Sequence, residues 1–528
     1  MRDFQLSGRS PIRVTEAAAA TSHPLATLTA VEVMRGGGNA IDAAVAAAAV
    51  LAVVEPQSTG IGGDCFILYA PHGGPEVLAF NGSGRSPRAA THGWYRDHGF
   101  KEFPKYGPHT VTIPGAIDAW ARIAADHGTR ELGALLKPAI GFAEDGYVVL
   151  DRVAFDWGLT AERLAGDPEA AKIFLPQGRA PRAGERHRQP ELAATLRRIA
   201  ASGRDGFYKG AIAQAMAAHL KSLGGLHDLE DFANATGEYV TPVHAAYRGV
   251  DIYQMPPNNQ GLTALIMLNI LADFDLAKHD PLSAERLHLE IEAGRLAYCD
   301  RDALIADPAH VEVPVTRILS RPHAEELRAK IDPGRAMANR APSPMQRSET
   351  VYLSVVDRDR NAVSFINSIY HSFGSALVAP GSGVVLQNRG ASFRIDPAHP
   401  NAIGPAKRPM HTIMPGMAMR AGRALMPFGV MGGDYQPFGH VHLLTNILDF
   451  AMDPQAALDS ARIFYDEGAV EVERGIPAAS IAGLQARGHR IVIPPEPHGG
   501  GQAILIDWQA GTLTAGSDPR KDGCALGW

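Results

Sequence analysis

Glu349-Thr350-Val351-Tyr352-Leu353-Ser354-Val355-Val356 is the stretch on which the reading of this chain turns. β-Branched and aromatic residues dominate it, a polar run from Asp357 to Asn361 follows, and Ala362 to Ile369 resumes the strand-like pattern. That is a β-hairpin with a two-residue side-chain period. Upstream, residues 331–349 read IDPGRAMANRAPSPMQRSE, with three prolines, three arginines and little apolar periodicity, which predicts an exposed, mobile loop.

The junction of loop and strand carries the chemistry. A threonine hydroxyl in mid-chain is a weak nucleophile that needs an adjacent base. If the bond between Glu349 and Thr350 breaks, Thr350 acquires a free α-amine with an intrinsic pKa of about 7.7–8.0, and nucleophile and base then sit on one residue. A mobile loop gives the scissile bond room to strain, and the following strand fixes the new terminus. On spacing alone the plainer reading is favoured, in which Thr350 is the first residue of a hairpin, where β-branched residues are common.

Away from the junction, Pro24 to Arg35 and Ala40 to Val54 read as two helices broken at Gly36-Gly37-Gly38-Asn39. The apolar run Ala43 to Val54 is too short to span a bilayer, which takes about 20 residues, and reads as a buried helix that Glu55-Pro56 ends. A strand at Cys65 to Tyr69 turns through His72-Gly73-Gly74-Pro75 into Val77 to Phe80. Residues 115–216 are helical in pattern, as are Thr263 to Ala277 and Ser283 to Tyr298. Further strands are expected at Gly383 to Gln387, Met417 to Arg420, Ala424 to Gly429, Arg490 to Ile493, Ala503 to Asp507 and Thr512 to Ala515. An early helical part and a late strand-rich part predict helix layers packed on sheets within one globule.

With 528 residues, 45% of them hydrophobic and 20% charged, the chain can bury a large core without metals or disulfides. Its net charge of −6 lacks the basic excess of a nucleic-acid binder. Three cysteines without a CxxC pair offer no disulfide framework or zinc spacing. Met1 to Arg13 has no apolar run of the kind a secretory signal needs, so a cytoplasmic protein is expected. His440-Val441-His442 has no evident third ligand, and the glycine runs at Gly60 and Gly499 lack a nucleotide-binding pattern; no metal or cofactor is expected.

Over most of its length the sequence resembles the gamma-glutamyltranspeptidase family of N-terminal nucleophile hydrolases. The motifs that carry the likeness begin with Ser22 to Ala26, Gly37 to Ala44, Gly60 to Gly63 and Ile113 to Ala116. They continue through Pro256 to Gly261, Glu292-Ala293, Asp300-Arg301, Thr350 to Asp357, Phe373 to Ser375, Gly404 to Pro409, Gly432-Gly433 and Gly516 to Arg520. The resemblance implies an α+β fold, a four-layer αββα sandwich, made as one precursor that cuts itself before Thr350 into a large subunit, 1–349, and a small one, 350–528. It implies Thr350 as nucleophile, Ser368 as a second hydroxyl beside it, and the backbone N–H groups of Gly432 and Gly433 as the oxyanion hole. A homodimer of such heterodimers is a further expectation.

Several positions depart from the family pattern for a γ-glutamyl substrate. The family's carboxylate-binding arginine falls near Ser83 and is missing or displaced to Arg85. The aspartate that receives the substrate amine corresponds to Ser392, the paired serines to His411 and Thr412, an asparagine to Tyr370 and a glutamine to Arg389. Without the aspartate, an α-ammonium would be buried unpaired at a cost of several kcal/mol. Arg389 instead offers a planar fork for a carboxylate, although a structural salt bridge would use it equally well. The chain thus resembles the family's amidohydrolase and acylase branch, of the oxamate amidohydrolase kind, more than glutathione hydrolase. The alternatives are a gamma-glutamyltransferase or glutathione hydrolase, and an uncleaved binding protein.

Overall fold

In the computed structural model, which describes residues 8–338 and 349–528, the hairpin lies inside one of two seven-stranded sheets. Val351–Val356 pairs antiparallel with Ala362–Ser368, Val351 standing opposite Asn367. Ala18–Thr21 and then Cys524–Gly527 continue the sheet on one side, and Asp64–Ala70, Leu78–Gly82 and Glu238–Val240 on the other. The second sheet runs Ile12–Val14, Thr512–Ser517, Gly500–Asp507, Arg423–Met431, Gly416–Arg420, Val250–Gln254 and Val243–Tyr247.

The two-residue period of the hairpin sorts its side chains into two cores. Val351, Leu353, Val355, Val363 and Phe365 face a helical layer, whereas Tyr352, Val356, Ala362 and Ile366 meet Met417, Met431, Ile504 and Leu513 of the other sheet. Tyr352 closes a polar knot between the sheets, its hydroxyl 2.8 Å from both Ser354 Oγ and Ser364 Oγ. Because both faces are covered, every residue of both strands is buried.

Helix Ala40–Val54 is buried on all sides against the first sheet. It starts at a capping box in which Asn39 and Asp42 exchange side-chain and backbone hydrogen bonds of 3.0 and 2.9 Å. Helices Gly261–Leu271, Ala284–Leu304 and Gln436–Leu448 cover the second sheet. The result is the expected α+β, four-layer αββα sandwich. Among the described residues no helix is long and apolar enough to cross a membrane.

The late part is strand-rich as expected, with twelve of the 21 strands of the described residues following Thr350, but the two large sheets draw on the whole chain, seven strands from before Thr350 and seven from after it. Ala18–Thr21, all alanine but for its last residue, has helical propensity yet forms a strand, because it fills the slot between Val351–Val356 and Cys524–Gly527. Of the expected loop 331–349, residues 339–348 lie outside the described residues. Its start is tethered, with Ala336 N donating to Arg487 O (2.7 Å) and Met337 N to Glu292 Oε2 (2.9 Å).

Candidate active site

Extending the hairpin register by one residue sets Thr350 against Ser368 at the end of the paired strands. Both share the parity of Tyr352 and Ile366 and so point toward the gap between the sheets. Thr350 Oγ1, fully buried, lies 2.7 Å from Glu349 O and 3.2 Å from Ser368 Oγ. Ser368 Oγ donates to the same carbonyl at 3.0 Å and accepts from Tyr370 N at 2.9 Å. Two hydroxyls thus converge on the carbonyl of the one peptide bond that would have to break. Tyr370 holds φ at +78°, a conformation that bulky side chains rarely adopt, and this kink turns the chain out of the sheet beside Thr350.

Gly432 and Gly433 end strand Arg423–Met431 with φ of +118° and +63°. A Cβ on Gly432 would lie 2.9 Å from Gly499 Cα, so both conformation and space call for glycine here. The turn is pinned from behind. Gln260 Nε2 donates to Gly433 O (3.1 Å) and Thr412 O (2.7 Å), and Arg301 Nη1 reaches Gln260 Oε1 (3.1 Å) and Asp434 Oδ1 (2.7 Å). Gly432 lines a small cleft together with Glu349, Tyr435, His498 and Lys521. The glycine turn and the residue before Thr350 therefore share one space.

Arg389 sits in a short 3-10 turn, Arg389–Ser392, and is completely buried. None of its three guanidinium nitrogens has a hydrogen-bond partner among the described residues. Its guanidinium stacks on the Tyr370 ring, 3.5 Å from the centroid. Burial pulls its pKa down to about 10, against the opposing pull of Tyr370, Asp64 and Asp434, so it stays cationic at neutral pH. An unpaired buried cation costs several kcal/mol, and an anionic ligand would relieve that cost.

The other sequence candidates have varied surroundings. Ser392 Oγ bonds to Arg389 O (2.9 Å) and Met410 O (2.8 Å) and so shapes the turn that carries the arginine. His411 donates from Nε2 to Asp64 Oδ2 (2.9 Å) and accepts at Nδ1 from Ile413 N (3.4 Å). Burial, aided by Arg389, lowers its pKa to about 4, so it stays neutral and supports the floor of the site with both nitrogens engaged. Thr412 Oγ1 is buried without a hydrogen-bond partner among the described residues. Arg85 faces elsewhere: it donates to Ala406 O (3.2 Å), lies near Asp307 and Glu238, and lines a different cavity with Ser83, Ser86 and Asp231. Thr350, Ser368, Tyr370 and Arg389 are linked by direct contacts; Arg85 is not among them.

Sequence reasoning missed the surroundings of Glu349. Its carboxylate is 2.6 Å from Lys521 Nζ, 3.4 Å from Ser58 Oγ and 3.9 Å from Arg152 Nη2. Burial works against its charge, but Lys521 and Arg152 outweigh that and hold the carboxyl below its ordinary range. It also missed Asp64, which accepts from Gly84 N (2.9 Å), Gly115 N (3.2 Å) and Gln387 Nε2 (2.8 Å) and so ties three loops beneath the site. Both lay next to motifs already recognised: Lys521 follows Asp518-Pro519-Arg520, and Asp64 follows Gly60 to Gly63.

His288, Glu292 and His489 bring possible metal-ligand atoms within 4.8 Å of one another. The two imidazoles already bond to each other at 2.8 Å, while Glu292 pairs with Arg295 (2.9 Å) and Met337 N, so the cluster is internally satisfied. His440 bonds to Gln254 and His442 to Glu290 and Arg286; the two do not act as a pair.

A family model for gamma-glutamyltranspeptidase matches residues 26–528. The chain belongs to the gamma-glutamyltranspeptidase family. Among its relatives in that family, the glutathione hydrolase-like YwrD proenzyme of Bacillus subtilis (strain 168) is 38% identical over 516 residues, covering 96% of this chain and 97% of that one. The oxamate amidohydrolase proenzyme of Klebsiella pneumoniae is 35% identical over 528 residues, covering 97% and 99%. Among solved structures, cephalosporin acylase from Bacillus halodurans superposes with a TM-score of 0.94 at 40% identity, covering 100% of this chain and 99% of that one. The protein is accordingly an enzyme of this amidohydrolase and acyltransferase family, with the N-terminal nucleophile hydrolase fold.

Proposed function

We propose that the chain is a proenzyme that cuts itself between Glu349 and Thr350 and then hydrolyses a small amide whose acyl group carries a carboxylate, such as oxamate. The observation that carries the substrate reading is Arg389, a fully buried guanidinium with no hydrogen-bond partner, stacked on Tyr370 beside the Thr350–Ser368 pair. A γ-glutamyl group would bring an ammonium to a pocket that offers a cation at Arg389 and only a hydroxyl at Ser392. A carboxylate without a neighbouring amine suits the same pocket through a bidentate, charge-assisted contact.

Catalysis follows from the same atoms. Thr350 Oγ1 attacks the amide carbonyl while the free α-amine of Thr350 takes its proton and passes it to the leaving nitrogen. The backbone N–H groups of the Gly432-Gly433 turn receive the oxyanion, each such donor supplying about 2.7–4 kcal/mol in comparable sites. Ser368 orients the nucleophile. Water then releases the acyl group from the threonine ester.

Mature protein on a denaturing gel should show two bands, of 349 and 179 residues. The purified enzyme should release ammonia from oxamate and turn over a γ-glutamyl anilide poorly. A single full-length band in active enzyme would overturn the nucleophile, and a clear preference for the anilide would overturn the role of Arg389.

A further inference from the structure

We propose that Lys521 is a positioning residue for self-scission: it holds the side-chain carboxylate of Glu349 and so selects the bond that breaks. The inference rests on the reading of Thr350 as a self-processing nucleophile. Its basis is that Glu349 is gripped at both ends. Its carbonyl oxygen takes hydrogen bonds from Thr350 Oγ1 (2.7 Å) and Ser368 Oγ (3.0 Å). Its carboxylate, at the other end of the same residue, lies 2.6 Å from Lys521 Nζ. The Lys521 side chain is only 4% exposed, which makes this a built site within the protein rather than a chance surface pair.

The cradle around that pair is prepared independently of Glu349. Asp156 lies 2.8 Å from Arg152 Nε and 3.4 Å from Lys521 Nζ, and Asp522 caps the start of the helix that carries both Arg152 and Asp156 by accepting from Arg152 N (3.0 Å) and Val153 N (3.2 Å). Lys521 thus keeps its place through Asp156 and presents its ammonium to residue 349. Replacing the Glu349 carboxylate by a neutral group would leave Lys521 buried with its more distant partner alone.

Fixing both ends of the acyl half of a peptide bond removes rotation about it. An attack distance and angle are then set before reaction, and misplacement by about 1 Å costs on the order of 100-fold in rate. In the reaction itself Thr350 Oγ1 forms a bond to the Glu349 carbonyl carbon, the bond from that carbon to Thr350 N breaks, and the hydroxyl proton ends on that nitrogen. Water then cleaves the resulting ester, leaving a carboxylate on Glu349 and the free hydroxyl and amine of Thr350. Lys521 touches none of the reacting atoms; it acts through the side chain of Glu349.

The test follows the conversion of full-length chain into its two pieces over time after synthesis in a cell-free system, with the cut site read by intact mass. Glu349→Gln and Lys521→Met should each slow conversion at least tenfold, whereas Lys521→Arg, which keeps the charge, should stay within about threefold of wild type. The same substitutions placed in an uncut Thr350→Ala chain should melt within a few degrees of Thr350→Ala alone, separating positioning from folding. Conversion at the wild-type rate by either Glu349→Gln or Lys521→Met overturns the proposal. Failure of the wider reading looks different: the wild-type chain would stay whole, or Thr350→Ala would still be cut.

Discussion

In the role proposed for it, Arg389 opposes stability and serves function at once. Its guanidinium is buried without a hydrogen-bond partner, an arrangement that costs free energy until an anion arrives. Arg389→Gln should therefore lower kcat/KM for oxamate by about 100-fold or more, as expected when one side of a buried charged contact is removed. It should at the same time raise the stability of the ligand-free protein by about 1–3 kcal/mol, read from chemical denaturation. A loss of both activity and stability would show that Arg389 is a structural residue. Glu55 makes a related point about pH. It is completely buried, and desolvation raises its pKa from 4.5 to about 7, only partly countered by Ser22 and Lys521. Between pH 4.5 and 7 the native chain keeps a proton that the unfolded chain has released, so stability falls as pH rises through this window and remains lower above it. The contribution is roughly 3 kcal/mol. In an uncut Thr350→Ala chain, adding Glu55→Gln should thus be stabilising at pH 8 and neutral near pH 4.5, as measured by denaturation midpoints at the two values.

At the scale of elements, the site is assembled where two strand ends and one turn meet. The hairpin Val351–Val356 and Ala362–Ser368 supplies the two hydroxyls, and strand Arg423–Met431 of the opposite sheet delivers the Gly432-Gly433 turn. The turn depends on left-handed backbone, which costs a non-glycine residue about 1–2 kcal/mol, and on a close approach to Gly499. Gly432→Ala should reduce kcat by about 100-fold with a smaller effect on KM, because it displaces donors needed chiefly in the transition state. Steady-state kinetics on oxamate would check this, and an equal rise in KM with unchanged kcat would place the turn in ground-state binding instead. The hairpin itself was legible in the sequence because its alternation has a period of two. The strand Ala18–Thr21 beside it was not, since its alanines favour helix and only pairing with two neighbours makes it extended.

Across the whole molecule, the proposed point of scission divides a chain whose two parts are interleaved in the same sheets. Val351–Val356 lies between Ala18–Thr21 of the earlier part and Ala362–Ser368 of the later one, and Asp64–Ala70 continues the same sheet. In the other sheet Gly416–Arg420 pairs with Val250–Gln254. The two pieces should accordingly co-elute on gel filtration after scission and unfold together in one transition, separating only in denaturant. Elution of a free 179-residue piece under native conditions would contradict this account of the packing.

Local pattern determined the hairpin and the glycine turns, because strand alternation and turn residues are short-range properties written in neighbouring residues; the family, the αββα class and Thr350, Ser368, Gly432 and Gly433 as candidates came from the family resemblance that the ordered motifs carry. Which charged side chains confront that site was decided only in three dimensions. Arg85 and Arg389 are both arginines in plausible positions, yet one turns toward Glu238 and Asp307 while the other is sealed against Tyr370. Lys521 meets Glu349 across 172 residues of chain. Burial and charge pairing arise from contacts between distant segments, and no window of sequence contains them.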